Sequence, residues 1–547
     1  MDLIKHLYYH SIILSCLLLV PTHVHSSKLP HNKHATWNVV DFGAQGDGKH
    51  LDTKAIQTAI DTCTIKGGTV FIPAGTYLSG TLFLKSNVTL HIAESALLLG
   101  SKDLDDYPKI RPQFSSYNDL FHTQSLIYAE NLENIAITGK GVIDGQGNVF
   151  RVTTKKRPDR YKDRPFIIWF VTCKNVFVEN ITLKNSAAWI QHYLACEDVI
   201  IRGIKVYNHC NQNNDMIDID GCKNVIISDC IGDTDDDALT IKSTSGRLSE
   251  NITVTNCVLS SHCNAIKLGT ESHGGFKNIV IENCIVKPSR VEETIFGYSK
   301  GIGGIVLTVV DGGILDGVQI SNIRLDGPKT PIFMRLGNRG RVYREDMEKP
   351  PIGSFRNVIL SNIIATQADS FGCSITGLPG HALENITLNN VHIEYKGGGK
   401  LRSALNVVPE NAENYPESTM FGQLPSYGFF IRHVKGVTLN NLYLSFEQPD
   451  YRPAIICDDV AGLDIIGLRA DGTKEGHALI KLNNSQDVLI SQARLDSPIR
   501  LFLTIEGAGS RAISLIGNDL RYAENFYQIS EYVDKNEVQM VGNLYSK

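Results

Sequence analysis

The chain has 547 residues, of which 53 are Lys or Arg and 58 are Asp or Glu, so its formal net charge is only −5. These charges are spread along the chain, which excludes the concentrated basic surface that nucleic-acid binding requires. The length would suit several ordinary domains, but a repeat protein of this size can form one continuous solenoid.

The first 26 residues have the layout of a secretory signal peptide, with basic Lys5 followed by an apolar run over residues 11–20. This run is well short of the ~20 residues that a membrane-spanning helix needs. We therefore predict that residues 1–26 are removed and that residues 27–547 form a single secreted domain, extracellular or periplasmic, without membrane insertion. We expect this domain to be a monomer. A lipoprotein anchored at Cys16 is a minor alternative.

One short phrase recurs along the rest of the chain at a period of 23 to 27 residues. Within each phrase apolar and polar residues alternate, a pattern typical of β-strands. Repeats of this length stack as successive coils, with equivalent strands in parallel about 4.8 Å apart. The repeat therefore predicts an all-β protein, a parallel β-helix, with longer gaps between phrases forming loops. The clearest copies are TCKNVFVENITL (172–183), ACEDVIIRGIKV (195–206), GCKNVIISDCIG (221–232), LSENITVTNCVL (248–259) and GFKNIVIENCIV (275–286).

The cysteines follow the repeat. Eleven remain after the predicted signal peptide, an odd number that argues against complete disulfide pairing. Cys230, Cys257 and Cys284 occupy the phrase position that Ile181 and Ile204 hold in other copies. Free cysteine packs as a small hydrophobic residue, so we expect these three in the core. Cys and His do not occur at zinc-ligand spacing, and neither a metal nor another cofactor is predicted.

Carboxylates concentrate in two neighbouring segments, NNDMIDID (213–220) and DTDDDALTIKS (233–243). The 21 residues from Asp215 to Asp236 are close to one coil, which places both on the same face of a solenoid. Asp236 and Asp237 come at a coil corner, from which both can reach a groove. Crowded carboxylates repel, so one can stay protonated while its neighbours ionise, as glycoside hydrolysis requires. Aspartates that cap backbone groups in turns are the alternative.

At these residues the sequence resembles glycoside hydrolase family 28, the polygalacturonase family. The resemblance implies a right-handed, pectin-lyase-like β-helix and an inverting hydrolase acting on an anionic pectic polysaccharide or oligosaccharide. It assigns Asp236 as the general acid, and Asp215 and Asp237 as the residues that hold and deprotonate water. Asn213 and Lys242 would support them. The similar segments are the N-terminal cap and first coils (about 37–100), NSAAWIQH (185–192), NND (213–215) and DDDALTIK (235–242).

Two motifs of that family are missing from this chain. CNAIKLGTES (263–272) replaces Gly-His-Gly, so Asn264 stands in the place of the histidine. GIVLTVVDGG (304–313) replaces Arg-Ile-Lys, with Val306 and Thr308 at the positions of the two cations. In polygalacturonases those two cationic side chains bind the carboxylate of the substrate. Their loss favours a rhamnogalacturonan-type or exo-acting enzyme over an ordinary endo-polygalacturonase.

Other residues are candidates to bind the substrate in their stead. Lys267 and Glu271 lie in the coil after the aspartates, and Arg335 and Arg339 offer bidentate forks for a carboxylate. His192 and His262 are each alone in their phrase and are interpreted as structural.

Two further classes of protein stay open. Polysaccharide lyases share this solenoid and use acidic clusters to hold calcium, and a solenoid without its substrate-gripping motifs can bind carbohydrate without cleaving it.

Overall fold

The computed structural model describes residues 35–545 apart from positions 153, 155, 157 and 158, and at positions 119 and 120 it describes the backbone alone. The predicted signal peptide and Cys16 lie outside the described residues. The described chain winds as a right-handed parallel β-helix, which confirms the predicted fold class. Within the same residues, no helix is both long and apolar enough to cross a bilayer.

The coils stack their strands into three parallel series. The first series carries the predicted aspartates. Its strands are Leu82–Phe83, Ser125–Glu130, Phe166–Val171, Gln191–Leu194, Ile217–Asp220, Leu239–Ser243, Asn264–Ser272, Gly303–Val309, Thr330–Leu336, Cys373–Thr376, the starts of Phe429–Gln448 and Ile455–Ile466, and then Ile480–Asn483, Ile499–Glu506 and Ala523–Ile529.

The second and third series form the other walls, and long strands pass from one series to the next. The second comprises Thr36–Asn38, Gly68–Ile72, Val88–Ile92, Glu133–Gly139, Lys174–Glu179, Glu197–Arg202, Lys223–Ser228, Ser249–Thr255, Gly275–Val286, Ile314–Asp326, Ser354–Ala368, Leu383–Gly397, Gln486–Ser491, Arg511–Ile516 and Val538–Val541. The third comprises Asp47–Leu51, Gly75–Ser79, Ala96–Gly100, Val142–Asp144, Thr182–Lys184, Lys205–Asn208, Ile231–Thr234, Val258–Ser261 and Arg469–Ala470.

Helices are few and short in the described chain. The α-helix Thr53–Cys63 buries Ile56, Ala59, Ile60 and Cys63 against the first coils. The other helices are single 3-10 turns, at Val39–Phe42, Leu104–Asp106, Tyr117–Leu120, Gly147–Val149, Asp159–Tyr161, Leu401–Leu405 and Lys535–Glu537.

Asparagine ladders make the bends between coils regular. Asn224, Asn251 and Asn278 adopt positive φ values of 58°, 57° and 54°, a left-handed conformation that asparagine tolerates better than most residues. The side chain of Asn251 donates to Asn224 over 3.1 Å, and that of Asn278 donates to Asn251 over 3.2 Å. Each coil therefore fixes the bend of the next.

The interior is apolar along its whole length, as the alternation predicts. In-register pairs such as Ile217 with Leu239 and Ile252 with Ile279 place equivalent apolar side chains above one another. Cys230, Cys257 and Cys284 are buried in one such stack, and all eleven cysteines of the described chain are free thiols. Their predicted place in the core is confirmed.

Candidate active site

The first strand series brings the two acidic segments together. The amide of Met216 donates to the carbonyl of Asp237 over 3.0 Å, so Asp215 lies beside Asp237 in neighbouring coils. In the next coil the carbonyl of Asn264 accepts from Ala238 over 2.9 Å. Asp215 and Asp237 each lie just before the strand of their coil and Asn264 begins the strand of the next, so the three residues stand in successive coils, about 4.8 Å apart.

Two adjoining cavities open onto these residues. We call the first the aspartate cavity, because Asp215, Asp236 and Asp237 all line it, and it has a volume of about 110 Å³. The second, here the flanking cavity, has a volume of about 590 Å³ and is lined by Asp236 but by neither Asp215 nor Asp237. The walls that the two cavities share also include Tyr161, Asn213, Lys267 and Tyr415.

Asp237 is held by the two residues that replace the missing histidine motif. The Lys267 ammonium lies 2.7 Å from one carboxylate oxygen, and the other oxygen accepts from the Asn264 side chain over 2.8 Å and from its amide over 3.2 Å. Asp237 and Lys267 are both almost fully buried. Burial alone would lower the pKa of Lys267, but Asp237, Tyr415 and Glu417 together outweigh it and raise that pKa well above its ordinary value. The lysine thus stays charged beside the aspartate.

Lys242 bridges Asp215 to a fourth buried carboxylate. Its ammonium lies 3.6 Å from Asp215, 3.3 Å from Asp218 and 4.5 Å from the centre of the Trp189 ring. Burial raises the pKa of Asp215 well above its usual range, and the charges of Asp218 and Asp236 raise it further. Burial likewise raises the pKa of Asp218 to about 6, against the opposing charge of Lys242.

Asp236 is the aspartate that reaches both cavities. One carboxylate oxygen accepts from the amide of Asp237 over 3.0 Å, and the other lies 3.4 Å from the side-chain nitrogen of Asn213. Burial and the charge of Asp237 raise the pKa of Asp236 to about 7. Asn213 is in turn fixed by Arg164, which donates to its side-chain oxygen over 3.0 Å. The arrangement can therefore hold a proton on Asp236 near neutral pH.

The predicted arginines do not reach either cavity. Arg335 is buried and donates to the Thr376 hydroxyl over 3.3 Å and to the carbonyls of Gly377 and Glu410. Arg339 is paired with Asp311 and does not line the aspartate cavity. Both side chains are engaged in fixing loops.

Arg341, which the sequence reasoning missed, does line the aspartate cavity. Its guanidinium lies 2.9 Å from the predicted residue Glu271 and 4.6 Å from the centre of the Tyr117 ring. Glu271 lines the same cavity. Burial alone would raise the pKa of Glu271, but the charges of the surrounding cations, of which Arg341 contributes most, together outweigh it and hold that pKa well below its usual range.

Aromatic walls are the other part of the site that the sequence did not reveal. Trp189 belongs to the quoted NSAAWIQH segment, but the remaining rings come from loops that carry no repeat. The rings lining the aspartate cavity are Tyr117, Phe121, Tyr161, Trp189 and Tyr415.

The histidines that the sequence assigned to structure are both buried and paired. His192 lies 3.0 Å from Asp220. His262 lies 2.8 Å from Asp235, and with His209 these two form a group, in the described chain, whose chemistry suits a metal ion. However, the second ring nitrogen of His262 bonds the carbonyl of Val291 at 2.8 Å, so both nitrogens of this ring are already occupied.

A parallel β-helix with a cluster of acids in a cleft of one strand series defines the class of the β-helix pectinases. The sequence model of glycosyl hydrolases family 28 matches residues 63–414, and the chain belongs to that family. The resemblance drawn from the motifs is thereby confirmed.

Individual relatives match smaller parts. A "Probable polygalacturonase" of Vitis vinifera is 34% identical over 38% of this chain and 44% of its own length. An "Exo-poly-alpha-D-galacturonosidase" of Dickeya chrysanthemi is 28% identical over 38% of this chain and 42% of its own length. The matches thus span less than half of either relative. Among solved structures, an exopolygalacturonase of Thermotoga maritima is 26% identical with a TM-score of 0.57, covering 66% of this chain and 87% of its own.

Proposed function

We propose that the protein hydrolyses glycosidic bonds in a pectic, galacturonate-containing polysaccharide or oligosaccharide, with inversion and by exo action. The observation that carries the proposal is the division among three aspartates in one cavity. Asp236 has a pKa raised to about 7, whereas Asp237 is paired with the Lys267 ammonium at 2.7 Å. A glycosidase of this kind needs one protonated and one ionised carboxyl group.

In this mechanism Asp236 protonates the oxygen of the leaving group. Asp237, whose carboxylate lies 2.7 Å from the Lys267 ammonium, accepts a proton from water. Asp215, beside Asp237 in the preceding coil, orients that water. Lys242 holds Asp215 and Asp218 in place and offsets part of the repulsion among the acids. Water then attacks from the face opposite the leaving group, which gives inversion.

Arg341 is proposed to bind the carboxylate of the galacturonate unit in the aspartate cavity. Of the three arginines over residues 335–341, it is the one that lines this cavity. Guanidinium binds carboxylates through parallel hydrogen bonds, and the contacts with Glu271 and Tyr117 fix its plane. It would take the role that the absent Arg-Ile-Lys motif has in polygalacturonases.

Exo action is supported by the loops that contribute to the aspartate cavity. Tyr117 and Phe121 come from the loop before Ser125–Glu130, Arg341 from the loop after Thr330–Leu336, and Tyr415 from the loop before Phe429–Gln448. Three separate loops thus contribute to the wall of the cavity, which favours a site that accepts a chain end. The relatives from Dickeya and Thermotoga carry exo-acting names. Secretion, proposed from the pattern of residues 1–26, would bring the enzyme to such a polymer.

Product analysis tests this function. Homogalacturonan, rhamnogalacturonan and trigalacturonate are incubated with the wild-type protein and Asp236→Asn, and the anomeric proton of the first product is followed by NMR. We expect monosaccharide release from galacturonate chains, inverted configuration, and loss of turnover in the variant. Preferred cleavage of rhamnogalacturonan would replace the substrate assignment. An unsaturated, chelator-sensitive product would indicate a lyase, and binding without cleavage would indicate a non-catalytic solenoid.

A further inference from the structure

Arg160 lies in the wall of the flanking cavity and has few partners of its own. Its Nη2 donates to the Gln212 side chain over 2.9 Å, and its Nε is buried without a hydrogen-bond partner. It forms no salt bridge with a carboxylate of the described residues, whereas the other cation of this wall, Lys267, is paired with Asp237 at 2.7 Å. A guanidinium offers five N–H donors, so several donors of Arg160 are left unused within the described chain.

The acids that neighbour Arg160 in sequence are paired with lysines. The carboxylate of Asp159 lies 2.7 Å from the Lys162 ammonium, and that of Asp163 lies 3.4 Å from the Lys109 ammonium. These pairs leave the charge of Arg160 without a carboxylate partner. A guanidinium of this kind in the wall of a cavity is suited to bind an anionic ligand, because its planar fork matches the geometry of a carboxylate.

The contacts that Arg160 does make hold it near the proposed acid. Its guanidinium carbon lies 5.1 Å from the centre of the Tyr161 ring, and Tyr161 lines both cavities. Gln212, which accepts from Nη2, directly precedes Asn213, whose side-chain nitrogen lies 3.4 Å from Asp236. The guanidinium is therefore fixed in the same wall as Asp236.

Glu417 is the acid that shares this wall with Asp236. Its carboxylate accepts from the Ser418 amide over 3.0 Å, and it is one of the groups that raise the pKa of Lys267. Burial raises the pKa of Glu417 itself, against the opposing charge of Lys267. The lysine thus offsets the charge of Glu417, and Arg160 is the cation of this wall that remains available to a ligand.

A third cavity adjoins the flanking cavity at Arg160. It has a volume of about 720 Å³, and Arg160 lines it as well. Lys102 and Arg151 are in its wall and form no salt bridge within the described chain, and its acids are Asp103 and the two aspartates already paired with lysines. An exo-acting enzyme needs room for the remaining polymer beyond the leaving-group unit, and this cavity offers such a path past Arg160.

Resting on the proposed function, the position of the flanking cavity indicates which part of the substrate it holds. Asp215 and Asp237, which would handle the water, line the aspartate cavity but not the flanking cavity, whereas Asp236, the proposed acid, lines both. Water and leaving group lie on opposite faces of the attacked sugar in an inverting reaction. The flanking cavity is consequently on the leaving-group side.

We infer that Arg160 binds the free carboxylate of the first sugar unit of the leaving group in the flanking cavity. Arg341 and Arg160 would then hold the carboxylates on the two sides of the cleaved bond, each from a loop that carries no repeat. The enzyme would be directed to two successive galacturonate units with free carboxyl groups, and a methyl ester on the second unit would weaken binding.

The test compares two trimers, trigalacturonate with three free carboxyls and the same trimer methyl-esterified at its central unit. We expect the wild-type kcat/KM to be about tenfold higher for the free trimer, the scale of a hydrogen bond between charged groups. Arg160→Gln should lower kcat/KM for the free trimer about tenfold, mainly through a higher KM, and should change it less than about twofold for the ester. The variant would therefore cleave the two trimers equally well.

Arg160→Lys keeps the charge but not the planar fork, so it should retain a preference of about threefold for the free trimer. Arg521→Gln is the matched control. It removes an arginine that is 58% exposed and lines none of the three cavities, and it should leave the preference unchanged. Thermal unfolding checks that each variant is folded.

Several outcomes overturn the inference while the proposed hydrolysis stands. These are a wild-type protein that cleaves the two trimers equally or prefers the ester, a preference for the free trimer that survives in Arg160→Gln, and a loss of the same size on both trimers in that variant, which would indicate a merely structural role. Failure to cleave either trimer or longer galacturonate chains counts against the proposed function itself.

Discussion

Asp236→Asn is expected to make the protein more stable at neutral pH while abolishing its turnover. Burial and the charge of Asp237 raise the pKa of Asp236 from 3.8 to about 7. Between these values the folded protein keeps a proton that the unfolded chain has released, so the stability of the wild type falls as pH rises from about 4 to about 7. At ~1.36 kcal/mol for each pH unit, the three-unit shift amounts to at most about 4 kcal/mol. Asparagine does not ionise and avoids this loss.

The assay is thermal unfolding of both proteins across the pH range. About 500 residues at about 2.1 cal/mol/K each give an unfolding entropy near 1 kcal/mol/K, so 4 kcal/mol corresponds to about 4 °C in Tm. The Tm of Asp236→Asn should equal that of the wild type at pH 4. The difference in Tm should grow up to pH 7 and stay constant at higher pH.

Asp233→Asn is the matched control with the opposite sign. Burial alone would raise the pKa of Asp233, but its hydrogen bonds with His209 and Ser289 outweigh this and lower the pKa to about 2. Its stabilising contribution is therefore complete above about pH 4 and is lost as pH falls toward 2. This variant should be less stable than the wild type at neutral pH. An Asp236→Asn protein that is equally or less stable at pH 8 would refute the reasoning.

Three further results are expected. The wild-type kcat should fall about tenfold for each pH unit above about 7, because ionised Asp236 cannot donate a proton; a flat rate up to pH 9 would contradict this role. Arg341→Lys should raise KM for trigalacturonate at least about tenfold, because lysine cannot form the bidentate contact. Arg339→Lys should change this KM less than about twofold. Equal effects of the two substitutions in steady-state kinetics would argue against the assignment of Arg341. Lys267→Met leaves the Asp237 carboxylate buried without its partner, so it should lower the free energy of unfolding by about 3 to 5 kcal/mol and remove most of the turnover. An unchanged Tm would show that the pair does not stabilise the protein.

The parts of the site that follow the repeat could be predicted from the sequence. A period of one coil is enough to place Asp215 beside Asp237 and Asn264, because parallel in-register strands align residues one period apart. The same argument places Lys267 beside Thr240, in the row of residues that includes Asp218, and Cys257 in the core. These positions depend on backbone register alone.

The loop residues could not be predicted, because a loop has no register. Arg335, Arg339 and Arg341 lie within seven residues, and nothing in their spacing tells which of them reaches the substrate. In the structure Arg335 and Arg339 are engaged by Glu410 and Asp311, and Arg341 alone of the three lines the aspartate cavity. The partners that decide this lie 75 and 28 residues away.

The corner at residues 235–237 gives three successive aspartates three unrelated surroundings. Asp235 is buried and accepts from the backbone amides of Ile295 and Phe296, Asp236 lines both cavities, and Asp237 contacts the Lys267 ammonium of the following coil. The three side chains are chemically identical, and they differ only in the direction in which the backbone places each of them. Inserting one residue just before this corner would keep all three aspartates but shift each into its neighbour's surroundings, so the role of each acid is set by the turn and not by the amino acid.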